Sequence, residues 1–249
     1  EATAYAHEKG LEVVFFPIDF SRSEIDWVLN LINRVATEGH MDALALVDTF
    51  GVLSPHAVQF FVRAVKAKFP DTRLETHFHQ DFGMGVANTI LALAEGAEVV
   101  HSTVLGLGER AGNAPTEDTV MALLTMYDID CGLNYDKLYP LAKMVQEIAN
   151  VDVPSNRSVV GDSVFQVESG IIANWFRNCG TEHQTELFPF RPEFVGQPSA
   201  DVVMGKGSGI DSIKIWLERF QIQATDEQAQ AILMAVKAKG SDTSRLLTD

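Results

Sequence analysis

The chain has 249 residues, 46% of them hydrophobic and 21% charged, a soluble globular composition that argues against disorder and allows one large core or two smaller ones. Nineteen Lys and Arg stand against 34 Asp and Glu, a net charge of −15, and no basic run interleaves with aromatics, so no nucleic-acid surface is expected and the partner should be a small molecule or a protein. No apolar stretch reaches the roughly 20 residues of a membrane span, the N-terminus lacks the order of a signal peptide, and Cys131 and Cys179 have no metal-like spacing, which together predict no membrane role, a reducing compartment and a cytoplasmic location.

The first apolar run is Glu12–Phe16. A helical stripe of Ile25, Val28, Leu29, Ile32 and Val35 follows, with Ser23 as its expected N-cap and Asp26 three residues on. The second run, Ala43–Asp48, ends in Asp48-Thr49-Phe50-Gly51, and Ser54-Pro55 opens a helix with Val58, Phe61, Val62 and Val65 facing inward. A third run, Leu74–His79, leads into a helix from about Val86 to Gly96. The fourth, Val99–Val104, precedes Gly106-Leu107-Gly108-Glu109-Arg110-Ala111-Gly112-Asn113 and a helix after Pro115-Thr116. Four strand–helix units in a row predict the α/β class, with parallel strands and crossover helices. From about Asn134 the pattern changes to a helix reaching Ala149, an irregular stretch rich in Gly, Pro and Phe up to Gly209, and a closing pair of helices near Ser212–Gln221 and Thr225–Ala238.

Strand alternation puts Leu74, Thr76 and Phe78 on one face of the third strand and Glu75, His77 and His79 on the other. Two imidazoles two residues apart point the same way, a geometry that suits one divalent cation and equally a hydrogen-bonded polar pair at a strand end. In barrels of parallel strands, active sites gather at the C-terminal strand ends. Both the Asp48-Thr49-Phe50-Gly51 turn and the Gly106–Asn113 loop fall there.

The stretches Val47-Asp48-Thr49-Phe50-Gly51, His77-Phe78-His79-Gln80-Asp81-Phe82-Gly83 and Gly106-Leu107-Gly108-Glu109-Arg110-Ala111-Gly112-Asn113-Ala114-Pro115, with Phe16-Pro17-Ile18-Asp19 before them, resemble the 2-isopropylmalate, homocitrate and citramalate synthase family. Hydroxymethylglutaryl-CoA lyase is a more distant relative of that family. The resemblance implies a (β/α)8 TIM barrel, of which residues 1–149 carry about the last four βα units, followed by a smaller, mainly helical α+β subdomain over residues 150–249. It implies an acyltransferase that condenses acetyl-CoA with a 2-oxo acid at a divalent metal (Zn, Mn or Mg). In that scheme His77, His79 and Asn113 are metal ligands and Thr49 with Asp48 binds the 2-oxo acid. Asp81 orients a histidine, and Asp19 and Glu109 are the candidate catalytic carboxylates. The expected assembly is a homodimer.

Several positions depart from the family pattern. Its Arg-Asp-Gly segment, which carries a carboxylate ligand, is absent, and the first strand here corresponds to the family's fifth. Residues 1–10 therefore read as the end of the preceding helix, and the N-terminal half of the barrel is expected from residues outside this sequence or from another chain. Ile18, Ile172 and Leu187 stand where the family has Glu, His and Tyr, which leaves Asp19 or His101 as alternative bases and admits a lyase, an aldolase or a catalytically altered member. A lyase is disfavoured because Gly108–Asn113 has no cysteine. Trp27, Trp175, Trp216 and Phe188-Pro189-Phe190 are expected in the core or a subunit contact. His7, His40, His56 and His183 are expected to be solvent-exposed or capping.

Overall fold

In the computed structural model, which describes residues 1–247, the chain divides into two compact units, Glu1–Leu133 and the segment from Asn134 onward. The first opens with helix α1 (Ala2–Glu8) and strand β1 (Val14–Phe15). It continues through α2 (Ile25–Glu38), β2 (Ala43–Asp48), α3 (Pro55–Lys68), β3 (Arg73–Phe78), α4 (Gly85–Ala94), β4 (Val99–His101) and α5 (Thr116–Tyr127). The strands form one parallel sheet in the order β1-β2-β3-β4. Strands in chain order joined by helices are the repeating unit of a (β/α)8 barrel.

Hydrophobic periodicity explains the layering. Leu44 and Leu46 of β2 and Leu74 and Phe78 of β3 pack under Val28, Leu29 and Ile32 of α2 and Val58, Val62 and Val65 of α3 in one buried cluster. The opposite face carries Val47, Glu75, His77 and His101, with Val47 opposite His77 and His77 opposite His101 in register. Alternation along the strands thus sends apolar side chains to the helices and polar ones to the other face.

Three local expectations change. Helix α2 is capped by Glu24, whose carboxylate accepts from the amides of Asp26 and Trp27, whereas the Ser23 hydroxyl donates to the Asp19 carbonyl. A carboxylate reaches the free first-turn amides as well as serine does and suits the positive end of the helix. Ser54 caps α3 as the sequence predicts. Strand β4 stops at His101, because the chain turns at Val104–Gly106 through Leu105, whose φ is 60°. Trp27 is 61% exposed and so lies outside the core of this chain.

The second unit contains α6 (Leu138–Ala149), β5 (Gln166–Val167), α7 (Gly170–Cys179), β6 (Asp201–Val202), α8 (Ile210–Arg219) and α9 (Asp226–Thr243). Helix α6 groups with this unit, so the division falls at Leu133/Asn134. β5 and β6 make a small parallel pair, and α8 and α9 close over Ile213, Leu233 and Val236. The Trp216 indole donates to the Val202 carbonyl at 2.7 Å and Phe188 is buried against Phe165. Among the described residues no helix is long and apolar enough to cross a membrane.

Candidate active site

The C-terminal ends of β2, β3 and β4 in the first unit bring the candidate residues together. His77 on β3 and His79 just past its end lie with ring centroids 5.3 Å apart. His79 Nδ1 is 3.1 Å from the Gly112 carbonyl oxygen, which only accepts, so Nδ1 carries the proton and Nε2 keeps its lone pair. Asn113 Nδ2 is 3.2 Å from His77 Nε2, and the backbones of His79 and Asn113 bridge directly. The loop after β4 thus folds back onto the end of β3 and places an amide beside both imidazoles.

Burial pushes the His77 imidazole down to about 4, with the neighbouring His79 and His101 adding to it. His77 is therefore neutral at pH 7, the form that donates a lone pair to a metal. In the metal-free protein the unfolded chain binds a proton on this ring near pH 6.5 and the folded chain only near 4. The native state keeps its full stability above pH 6.5 and loses it as the pH falls toward 4. Replacing His77 with Asn is expected to flatten that part of a denaturation-midpoint against pH curve; an unaltered slope would contradict the assignment.

The residues around the histidines form linked ion pairs. Arg110 grips Asp81 with two bonds, 2.8 Å and 3.1 Å long, and also donates to the Thr49 carbonyl. The guanidinium holds the Asp81 carboxyl below its ordinary range. Asp81 was expected to orient a histidine; its carboxylate instead engages Arg110, and the Gly112 carbonyl orients His79. Thr49 Oγ1 accepts from the Asp19 amide at 2.7 Å. Asp19 sits at φ 61°, and both its oxygens are held at 2.7 Å by Arg22, which keeps the carboxyl low. The Phe50 ring lies under the guanidinium of Arg22 at 3.8 Å and near that of Arg110 at 5.1 Å.

Asp48 has no exposed surface; Oδ1 accepts from Ser21 Oγ at 2.6 Å and the Val52 amide at 3.1 Å, and Oδ2 from the Leu53 amide at 3.0 Å. Its acceptors are taken up in shaping the turn that presents Thr49. Glu109 projects outward, with 87% of its side chain exposed.

Two features carry no local sequence signal. Buried Glu75 bridges Arg73 at 2.9 Å and His101 Nε2 at 2.9 Å, and Phe16 stacks on His101 with centroids 5.8 Å apart while meeting His77 edge-on at 4.9 Å. The carboxylate of Glu75 accepts from Nε2–H and leaves the lone pair of His101 on Nδ1. Alternation along β3 marks Glu75 as sharing the His77 face, which was the one available hint.

Residues 1–145 match the family described as HMGL-like. The chain is 35% identical over 99% of its length to homocitrate synthase AksA of Methanopyrus kandleri, and 35% identical over its whole length to (R)-citramalate synthase CimA of Methanocaldococcus jannaschii. It spans 60% and 49% of those two relatives' own lengths, so it covers about half of the proteins it matches. Among solved structures, the HMG-CoA lyase of Bacillus subtilis superposes with a TM-score of 0.54 at 29% identity, covering 60% of this chain and 54% of that one.

Proposed function

The chain belongs to the HMGL-like family, and on that premise we propose that it carries the metal-holding part of an acyltransferase barrel that condenses acetyl-CoA with a 2-oxo acid. The observation behind this reading is the meeting of Thr49, His77, His79 and Asn113 at adjacent strand ends. Two imidazoles that can turn Nε2 toward one point suit a divalent metal such as Zn, Mn or Mg, and Asn113, turned by half a rotation, releases His77 Nε2 and offers its amide oxygen to the same ion. His101 is the next imidazole, with its ring centroid 5.5 Å from that of His77, and among the described residues no third His, Cys or carboxylate donor atom lies within 4.8 Å of both. When bound, the metal supplies Lewis-acid polarisation of the acceptor's ketone.

The chain's own residues bind and position around that chemistry. The Thr49 hydroxyl donates to the acceptor's carboxylate, because its oxygen already accepts from the Asp19 amide and its hydrogen is left to give. Asp48 holds the turn from below, fully buried and engaged by Ser21, Val52 and Leu53, and is out of reach of substrate. Arg110, through Asp81 and the Thr49 carbonyl, fixes the loops after β2, β3 and β4 against one another. His101 takes the proton from the acetyl methyl at Nδ1, with Glu75 stabilising the imidazolium that results. Asp19 is a poor base, since Arg22 stabilises its ionised form.

Replacing His101 with Asn is expected to lower kcat about 100-fold, and Asp19→Asn less than tenfold; the reverse order would return the base to Asp19. Equal identity to a homocitrate and a citramalate synthase leaves the acceptor to experiment. The decisive assay follows thiol release from acetyl-CoA by the full-length protein with a panel of 2-oxo acids and Zn, Mn or Mg. Acceptor-dependent release is expected. No release with any acceptor, despite bound metal, sinks the synthase reading, and cleavage of a hydroxyacyl-CoA favours the lyase that the Bacillus subtilis structure represents.

A further inference from the structure

At the opposite end of β2 from the active site, a second set of metal-type donors gathers from separate chain segments. His7 lies on α1, and His40 and Asp42 lie in the turn between α2 and β2. Their donor atoms all fall within 4.8 Å of one another, and among the described residues they are the group of three His, Cys or carboxylate side chains that do so. The two imidazoles stack with centroids 3.5 Å apart, and His40 Nε2 is 2.9 Å from Asp42 Oδ1. The other Asp42 oxygen accepts from the Val13 amide at 2.7 Å, so the carboxylate is aimed by the backbone before any ion arrives. An open cleft of about 240 Å³, lined by His7, Gly10, Leu11, Glu12 and Asp42, gives solvent and ions access.

We propose that His7, His40 and Asp42 form a second divalent-metal site that takes a borderline transition metal such as Zn²⁺ and staples α1 to the foot of β2. Two imidazoles and one carboxylate are a donor set for zinc, with water completing the shell. Ligands on a tetrahedral ion at bonds of about 2.0–2.1 Å sit roughly 3.3 Å apart, so the 2.9 Å between His40 and Asp42 opens by a few tenths of an ångström, and the His7 ring turns out of its stack so that both in-plane lone pairs meet at the ion. The ion takes the place of the proton these two share. It also joins a helix to a turn already linked by the His40 amide donating to Thr3 Oγ1 at 3.3 Å. Six residues of β2 separate this site from Thr49, about 23 Å of strand, so the ion is not the one at His77.

Neither His was expected to act in concert with another group; the stack joins residues 33 positions apart, which no local pattern reveals.

Zinc atoms per chain, counted after equilibrium dialysis of tag-free full-length protein against Zn²⁺, test the proposal. Wild type is expected to hold two, His77→Ala/His79→Ala one, His7→Ala/His40→Ala one, and the fourfold variant none. Zinc should also raise the Tm of the His77→Ala/His79→Ala protein and leave that of the fourfold variant unchanged. Single replacement of His7 should weaken the second equivalent at least about 100-fold. A zinc count that is the same in wild type and in His7→Ala/His40→Ala, whether one or two, overturns the site. Each pair of histidines is removed separately, so failure here and failure of the active-site reading give different counts.

Discussion

Replacing His77 or His79 with Ala is expected to lower kcat/KM for acceptor-dependent CoA release at least a thousandfold, about 4 kcal/mol of barrier, while the fold survives. The reasoning is local. Both side chains sit at the end of β3 on the face turned away from the helices, and the cluster that holds the sheet uses Leu74 and Phe78 instead. Removing an imidazole therefore leaves packing intact and takes away one of two nitrogen donors. His79→Ala additionally frees the Gly112 carbonyl, which now receives Nδ1, so it should lose more metal than His77→Ala. Metal content and CoA release measured on the same preparations check this. Activity within tenfold of wild type, or unchanged metal at this site, would remove both residues from the ligand set.

Gly112→Ala should be the most damaging single change outside the ligands, destabilising by about 4 kcal/mol and costing about 10- to 100-fold in metal affinity. Gly112 has φ 90°, a conformation that L side chains rarely adopt, and a Cβ there would collide with the Gly106 carbonyl oxygen. The loop cannot relax cheaply, because the Asn113 amide donates to that same carbonyl at 3.0 Å and Gln80 donates to the Gly112 carbonyl at 2.9 Å. Any shift moves both Asn113 and the acceptor of His79. Chemical denaturation and metal titration of the variant measure the two effects; a loss below 1 kcal/mol would mean that the loop is far more pliant than its hydrogen bonds indicate.

Much of this was legible in the sequence because it depends on short-range rules. The apolar run Ala43–Asp48 is β2 to the residue, Ser54 before Pro55 is a cap, and strand alternation already set His77 and His79 on the face opposite Leu74 and Phe78. What escaped depends on register between strands. Glu75 finds His101 across 26 positions, Arg110 finds Asp81 across 29, and His7 finds His40 across a helix. Periodicity says which way a side chain points, not which neighbour waits there. Short-range rules also misled at α2, where Ser23 and Glu24 are both competent caps and the backbone chose the second. The stretch up to Gly209 reads as irregular from its Gly, Pro and Phe content, yet it holds α7, which begins at Gly170.

Arg110 joins the Thr49 turn to Asp81 from within the Gly106–Asn113 loop, so one guanidinium belongs to all three loops after β2, β3 and β4. Loops tied in this way open as one cooperative unit, and their amides should exchange with solvent at a shared rate rather than three independent ones. An arriving substrate then meets a rim that is already ordered. Little of its binding energy goes into freezing loops, and in the condensation proposed above more remains for interactions that strengthen only in the transition state.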